Sequence, residues 1–279
     1  MSPDVTSEEV LLTAPTHKVP VRVHRPDGAV GWLVWAHGGS WRTGSSREWH
    51  DACVDLAHAA RCTVVNVDYR LVPHRHPAAL LDILIALDWA WERAKEEGDP
   101  RRLAVGGDSA GGTLAACAAL VRRDLGLPLT AQVLAYPPLD PACSAGSYSR
   151  MLGFPSRIGM ISAWQAYRGD GAPVFSEGIR LHSTPLDASV LKGTPSTILA
   201  VGELDPVVDD VLHYARLLRD AGTSVSMQAF PGVPHGVFRE GSGQRSEEGN
   251  PLRMYLAHAL RHHLDEIDPI CTASSKERS

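Results

Sequence analysis

A serine set between glycines, Gly107-Asp108-Ser109-Ala110-Gly111-Gly112, constrains this chain more than any other stretch. Leu103 to Val105 before it reads as a short strand, and Thr113 to Arg123 after it as an Ala/Leu helix. A Gly-x-Ser-x-Gly pattern in that setting predicts a sharp strand-turn-helix elbow. Gly107 and Gly111 leave room for the turn, and Ser109 is held at its tip as a nucleophile. The helix N-terminus behind it offers backbone N–H groups and a positive dipole end to a developing oxyanion, the Ala110 N–H first. A five-residue match alone also arises by chance in an ordinary Gly-Ser loop; the strand before it and the helix after it argue against that here.

A second glycine pair, in His37-Gly38-Gly39-Ser40-Trp41, lies about seventy residues upstream, at the end of the apolar run Gly31 to Ala36. Glycines there turn N–H groups toward a substrate oxygen with no Cβ in the way, which makes Gly38 and Gly39 the expected oxyanion donors. His37 reads as a residue that orders the loop. Trp41 reads equally as a wall of the substrate pocket or as a packing tryptophan. Ser40 and Asp108 join it as candidate substrate-binding residues.

A serine nucleophile needs a base, and the base needs an orienting carboxylate. His235 lies in Gly232-Val233-Pro234-His235-Gly236, a loop after the strand-like run Ser224 to Phe230. Asp205 lies in Gly202-Glu203-Leu204-Asp205-Pro206, just after the run Thr197 to Val201. Its alternative role is a helix cap, because Asp before Pro suits a helix start, and the two roles are compatible. Glu203, Asp209 and Asp210 are rivals, the last two ranked low because they fall on the helix. The remaining histidines read as surface or core residues. His74, His76, His262 and His263 have no carboxylate or thiolate partners at metal-ligand spacing, so no metal is expected.

Strand and helix patterns alternate from residue 31 onward. Gly31 to Ala36, Cys62 to Val67 and Gln132 to Tyr136 are short continuous apolar runs, as expected of strands buried on both faces. Arg47 to Ala60, Pro77 to Glu97, Val207 to Ala221 and Leu252 to Ile267 carry helical spacing. The expected fold class is α/β: one domain over 1–279 with a mostly parallel central sheet and helices on both faces. Two stretches break the pattern. Leu139 to Gly193 is rich in Gly, Pro, Ser and aromatics, with a weak helix near Ile158 to Tyr167, and is read as a lid over the crevice. The polar tail 268–279 is read as disordered.

Net charge is −5 with both signs interspersed, so neither nucleic acid nor an acidic membrane surface is an expected partner. No apolar run reaches the roughly 20 residues needed to span a bilayer, and Met1 to Val10 has no apolar core of a signal peptide. Five scattered cysteines form neither a disulfide framework nor a metal spacing, which points to the cytoplasm.

The chain resembles the hormone-sensitive-lipase-like branch of the α/β-hydrolase esterases. The resemblance runs from about Gly31 to Phe238 through HGGSW (37–41), DYRLVP (68–73), PAAL (77–80), GDSAGG (107–112), GELDPV (202–207) and PGVPHGVF (231–238). It implies the α/β-hydrolase fold, Ser109, Asp205 and His235 as a triad, and Gly38, Gly39 and Ala110 as the oxyanion hole. It also implies no cofactor, a small acyl ester substrate with a short acyl group such as acetyl, and a homodimer through the last strand and helix. The chain departs from the family in three places. Ser40 stands where a third glycine is usual. HGG-x-W also occurs in kynurenine-formamidase-like hydrolases, which keeps amide substrates open. His74 replaces a usual Glu after Val72-Pro73, so a salt bridge there is not assumed. Only about thirty residues precede the GWLVWA strand, where the family usually carries helices over the site. A more open site is therefore expected, covered by the 139–193 insert or a partner subunit. The constellation also suits amide deacylation, acyl transfer or acetate elimination in secondary metabolism of a bacterium. A non-catalytic small-molecule receptor is the reading from outside enzymes, disfavoured by an intact Ser, Asp and His.

Overall fold

The structure, a computed structural model, describes residues 5–97, 99–176, 178–242 and 250–267. In chain order a hairpin of β1 (Val5–Thr13) and β2 (Lys18–Pro26) leads into β3 (Trp32–Ala36), α1 (His50–Ala60), β4 (Thr63–Val67), α2 (Ala78–Glu96), β5 (Leu103–Asp108), α3 (Ala110–Asp124) and β6 (Ala131–Ala135). The segment that follows holds α4 (Ser147–Arg150), α5 (Arg157–Arg168) and a small hairpin of β7 (Val174–Ser176) and β8 (Ile179–Leu181). The chain then completes the sheet with β9 (Ser196–Gly202), α6 (Val208–Asp220), β10 (Val225–Phe230) and α7 (Pro251–Asp265).

Eight strands form one sheet in the order β1-β2-β4-β3-β5-β6-β9-β10. All neighbours from β4 to β10 are parallel; β2 alone runs against them, and β1, antiparallel to β2, returns to their direction. Every residue of β3, β4, β5 and β6 is buried, as their continuous apolar runs require of strands covered on both faces. The chain steps from β3 outward to β4, then returns past β3 to β5 and moves steadily the other way. Right-handed crossovers therefore put α1 on one face and α2, α3 and α6 on the other. α7 closes the first face against α1. The reversal of strand order falls between β3 and β5, where open α/β sheets form their ligand crevice.

β1 has no counterpart in the sequence reading. Most of its residues are exposed, and Leu12 alone is buried, so no apolar alternation announces it. It exists because Val5 to Thr13 pairs in register with Pro26 to Lys18. His17, in the turn, reaches Asp82 of α2 at 2.7 Å, and Arg70 holds the same carboxylate with two nitrogens at 2.9 to 3.1 Å. The 139–193 segment is more regular than the sequence suggests. α5 buries Met160, Ala163, Trp164 and Tyr167 at helical spacing and is capped by Ser156, whose hydroxyl accepts the Gly159 N–H. The tail expected to be disordered lies outside the described residues. Among the described residues no helix is long and apolar enough to cross a membrane.

Candidate active site

β5 ends at Asp108, α3 begins at Ala110, and Ser109 between them is held at φ 51°, ψ −122°. Such a backbone costs a non-glycine residue roughly 1–3 kcal/mol and persists only where its surroundings enforce it. The enforcement is visible. The Ser109 N–H donates to the Ala135 carbonyl at the end of β6, at 2.9 Å. A Cβ at Gly107 would lie 2.4 Å from the Gly111 carbonyl, and one at Gly111 only 1.9 Å from the Ala36 carbonyl oxygen. The two glycines let the elbow close on itself and let α3 press against the end of β3.

Three side chains that are distant in sequence meet at this elbow. Ser109 Oγ lies 2.8 Å from His235 Nε2, and His235 Nδ1 lies 2.7 Å from Asp205 Oδ2. Asp205 is fully buried, while Ser109 and His235 keep 7% and 9% of their surface. The Asp205 carboxylate is placed for both roles open to it in the sequence. Its Oδ1 accepts the Val207 N–H at 2.9 Å at the entrance to α6, while Oδ2 faces the imidazole. The rival carboxylates are engaged elsewhere: Asp209 with Arg150 and the Ser147 N–H, and Asp210 with the Leu139 and Asp140 N–H groups and the Tyr148 hydroxyl. Glu203 is exposed. The ring of His235 packs on that of fully buried Tyr136 at 4.7 Å, and the Tyr136 hydroxyl accepts the Phe238 N–H at 2.8 Å.

The loop after β3 corrects the sequence reading at Gly38. Its N–H donates to Asp108 Oδ1 at 3.1 Å in a buried setting, so that donor is already spent. Beyond it, Gly39, Ser40 and Trp41 all take positive φ (116°, 54° and 57°). Among the described residues the N–H groups of Gly39 and Ser40 have no hydrogen-bond acceptor. Successive N–H groups freed by a left-handed turn form a concavity suited to an anion. Sequence reasoning passed over the Ser40 N–H because the usual glycine is absent there. The signal available was the position itself, next after Gly39.

Asp108 is the second correction. It is buried beneath the crevice rather than lining it, and its Oδ1 accepts three N–H donors: Trp49 Nε1 at 2.8 Å, Gly38 at 3.1 Å and Trp35 Nε1 at 3.2 Å. Burial pushes its carboxyl up to about 7, against the pull of those donors. Of the two readings open for Trp41, the packing one has support: its indole is buried and stacks on Tyr167 at 4.5 Å and 7°, with Trp164 at 4.6 Å, so it fastens α5 to the loop after β3. Ser40 alone of the predicted contact residues keeps partial exposure. Trp35, Trp49 and Tyr136 support the site without having been singled out. Their roles depend on partners brought in by the fold.

The 139–193 segment reaches the site at one aromatic residue. Phe154, in the loop between α4 and α5, stands over His235 with ring centroids 5.8 Å apart. His37 orders its loop as read: Nδ1 bonds the Gly38 carbonyl at 2.7 Å, and the ring stacks on Tyr69. Among the described residues no three His, Cys, Asp or Glu side chains gather as a metal site.

A family model described as alpha/beta hydrolase fold matches residues 33–239, a span that holds the elbow, the loop after β3 and all three triad-like side chains. The chain belongs to the hormone-sensitive-lipase-like α/β-hydrolase esterases. Members of this esterase family similar to it include the ethyl acetate hydrolase of Pseudomonas putida, 35% identical over 274 residues, covering 94% of this chain and 84% of that protein. The carboxylesterase NlhH of Mycobacterium tuberculosis is 39% identical over 228 residues, covering 78% of this chain and 70% of its own length. Among solved structures, esterase LipW from Mycobacterium marinum superposes with a TM-score of 0.82 at 35% identity, covering 93% of this chain and 82% of that one.

Proposed function

We propose that this family member is a serine carboxylesterase that cleaves short-acyl esters of small molecules through an acyl-enzyme. The observation that carries the reading is the unbroken relay from Ser109 Oγ through the His235 ring to Asp205, at 2.8 and 2.7 Å, behind a serine in a strained backbone. His235 Nε2 takes the Ser109 proton as Oγ attacks the acyl carbonyl carbon. Asp205 holds the tautomer that leaves Nε2 free to accept and stabilises the imidazolium that forms. The tetrahedral oxyanion is received by the N–H groups of Gly39, Ser40 and Ala110. Losing one such donor typically costs on the order of 10²–10³ in rate. The Nε2 proton then passes to the departing alkoxide as the C–O bond breaks. Water repeats the sequence on the acyl-Ser109 ester and regenerates the hydroxyl. The 139–193 segment acts as the lid, through Phe154.

The short acyl group is supported by the similarity to an ethyl acetate hydrolase. A p-nitrophenyl ester panel from acetyl to dodecanoyl tests it. Turnover greatest at acetyl to butyryl, falling with length and lost in Ser109→Ala, supports the reading. A preference for long chains, or activity persisting in Ser109→Ala, contradicts it.

A further inference from the structure

The three most exposed large apolar side chains among the described residues are Leu152 (100%), Ile158 (83%) and Phe154 (69%). All three fall between the end of α4 and the first turn of α5. One exposed leucine needs no explanation, but an open phenylalanine ring beside the His235 ring, with two more exposed apolar side chains within four residues of it, does. Their loop is held at both ends. Arg150 clasps Asp209 of α6 with both contacts at 3.0 Å, and Arg157 Nε donates to the Cys143 carbonyl at 2.9 Å. The buried face of α5 is locked on Trp41. The apolar side chains are thus presented outward by a braced loop.

Where this loop stands relative to His235 decides what it meets. The leaving oxygen must come within about 3 Å of Nε2 to take its proton. The carbons attached to that oxygen therefore lie beside the imidazole. One ring neighbour of that imidazole is Tyr136, fully buried and already packed. Its other ring neighbour is Phe154, centroid 5.8 Å away and largely open. The alcohol half of the ester is the part that meets Phe154.

We infer that Phe154, flanked by Leu152 and Ile158, is the leaving-group subsite, and that the substrates are short-acyl esters of apolar alcohols, aryl-alkyl or aliphatic. The inference rests on the esterase reading above and adds the half of the substrate that reading leaves open. Apolar contact beside the departing oxygen selects among alcohols by fold-changes of about ten to two hundred for each group accommodated.

The test compares kcat/KM for 2-phenylethyl acetate and ethyl acetate, two esters with the same acyl group, in the wild type and in Phe154→Ala, Phe154→Leu and Leu152→Ala. The wild type is expected to favour the phenylethyl ester. Phe154→Ala should lower that preference about tenfold, Leu152→Ala less, and Phe154→Leu should restore most of it. The preference between ethyl acetate and ethyl hexanoate should move less than twofold. An alcohol preference unchanged within twofold in Phe154→Ala overturns the inference. So does an effect confined to the acyl series, or one accompanied by loss of an oligomer, which would make the loop a contact between copies. A wild type inert to every ester overturns the esterase reading and this inference with it. Turnover of both acetates with no response at Phe154 overturns this inference alone.

Discussion

Asp108 Oδ1 accepts the Gly38 N–H at 3.1 Å and so ties the turn after β3 to the residue just before the nucleophile. The same oxygen takes the indole N–H groups of Trp35 and Trp49, which fixes the carboxylate's own position. The oxyanion loop and the elbow are therefore registered against each other by one buried side chain. Asp108→Ala is expected to lower kcat by about 10²–10³, the scale of a lost oxyanion donor, with KM nearly unchanged. Asp108→Asn, which keeps an acceptor oxygen, should lose less. Steady-state kinetics on one acetate ester checks both, and a pure KM effect would contradict the positioning role.

The same residue has a pH signature in stability. An unfolded Asp titrates near 3.8, while burial in the folded chain raises Asp108 to about 7. Between those values the folded chain holds a proton that the unfolded chain has lost. Asp108's contribution is therefore full below about pH 4, declines as pH rises and is gone above about pH 7. Asp108→Asn carries no such titration. The wild-type Tm minus the variant Tm should fall from pH 4 to pH 8, measured by paired thermal melts. A constant difference would contradict this.

Asp205 separates its two roles by substitution. Asp205→Asn keeps an oxygen for the Val207 N–H but presents a neutral amide to His235, so the rate should fall by about 10⁴ with little change in Tm. Asp205→Ala loses the turn contact as well and should cost about 1 kcal/mol of stability besides. Kinetics and melts on the pair read the two effects independently. Equal Tm values for the Ala and Asn variants would show that the contact with Val207 contributes nothing.

Gly111→Ala places a Cβ 1.9 Å from the Ala36 carbonyl oxygen, in a spot where backbone alone would have to move. A loss of a few kcal/mol or failure to fold is expected. Gly153→Ala, where nothing lies within 4 Å and φ is not positive, should leave Tm nearly unchanged. Soluble yield and Tm of the two variants decide the matter.

The sheet was legible in sequence because its central strands are buried on both faces and read as unbroken apolar runs, and because Gly107, Ser109 and Gly111 announce the elbow. Asp205 and His235 were legible from loops at strand ends. Gly38 was misread because its N–H is spent on a carboxylate whose orientation depends on Trp35 and Trp49, the second brought in from the entrance to α1. β1 was invisible because an edge strand with exposed faces carries no apolar period. Phe154 gave no signal. Its place over His235 follows from the brace between Arg150 and Asp209 and from the docking of α5 on Trp41.

The most direct test of the account is labelling with a p-nitrophenyl alkylphosphonate followed by intact-mass and peptide mapping. One adduct per chain on Ser109, released p-nitrophenol in equal amount, and no adduct in Ser109→Ala or after denaturation are predicted. A label that maps to another residue, or that persists in Ser109→Ala, would contradict the assignment of Ser109 as the nucleophile.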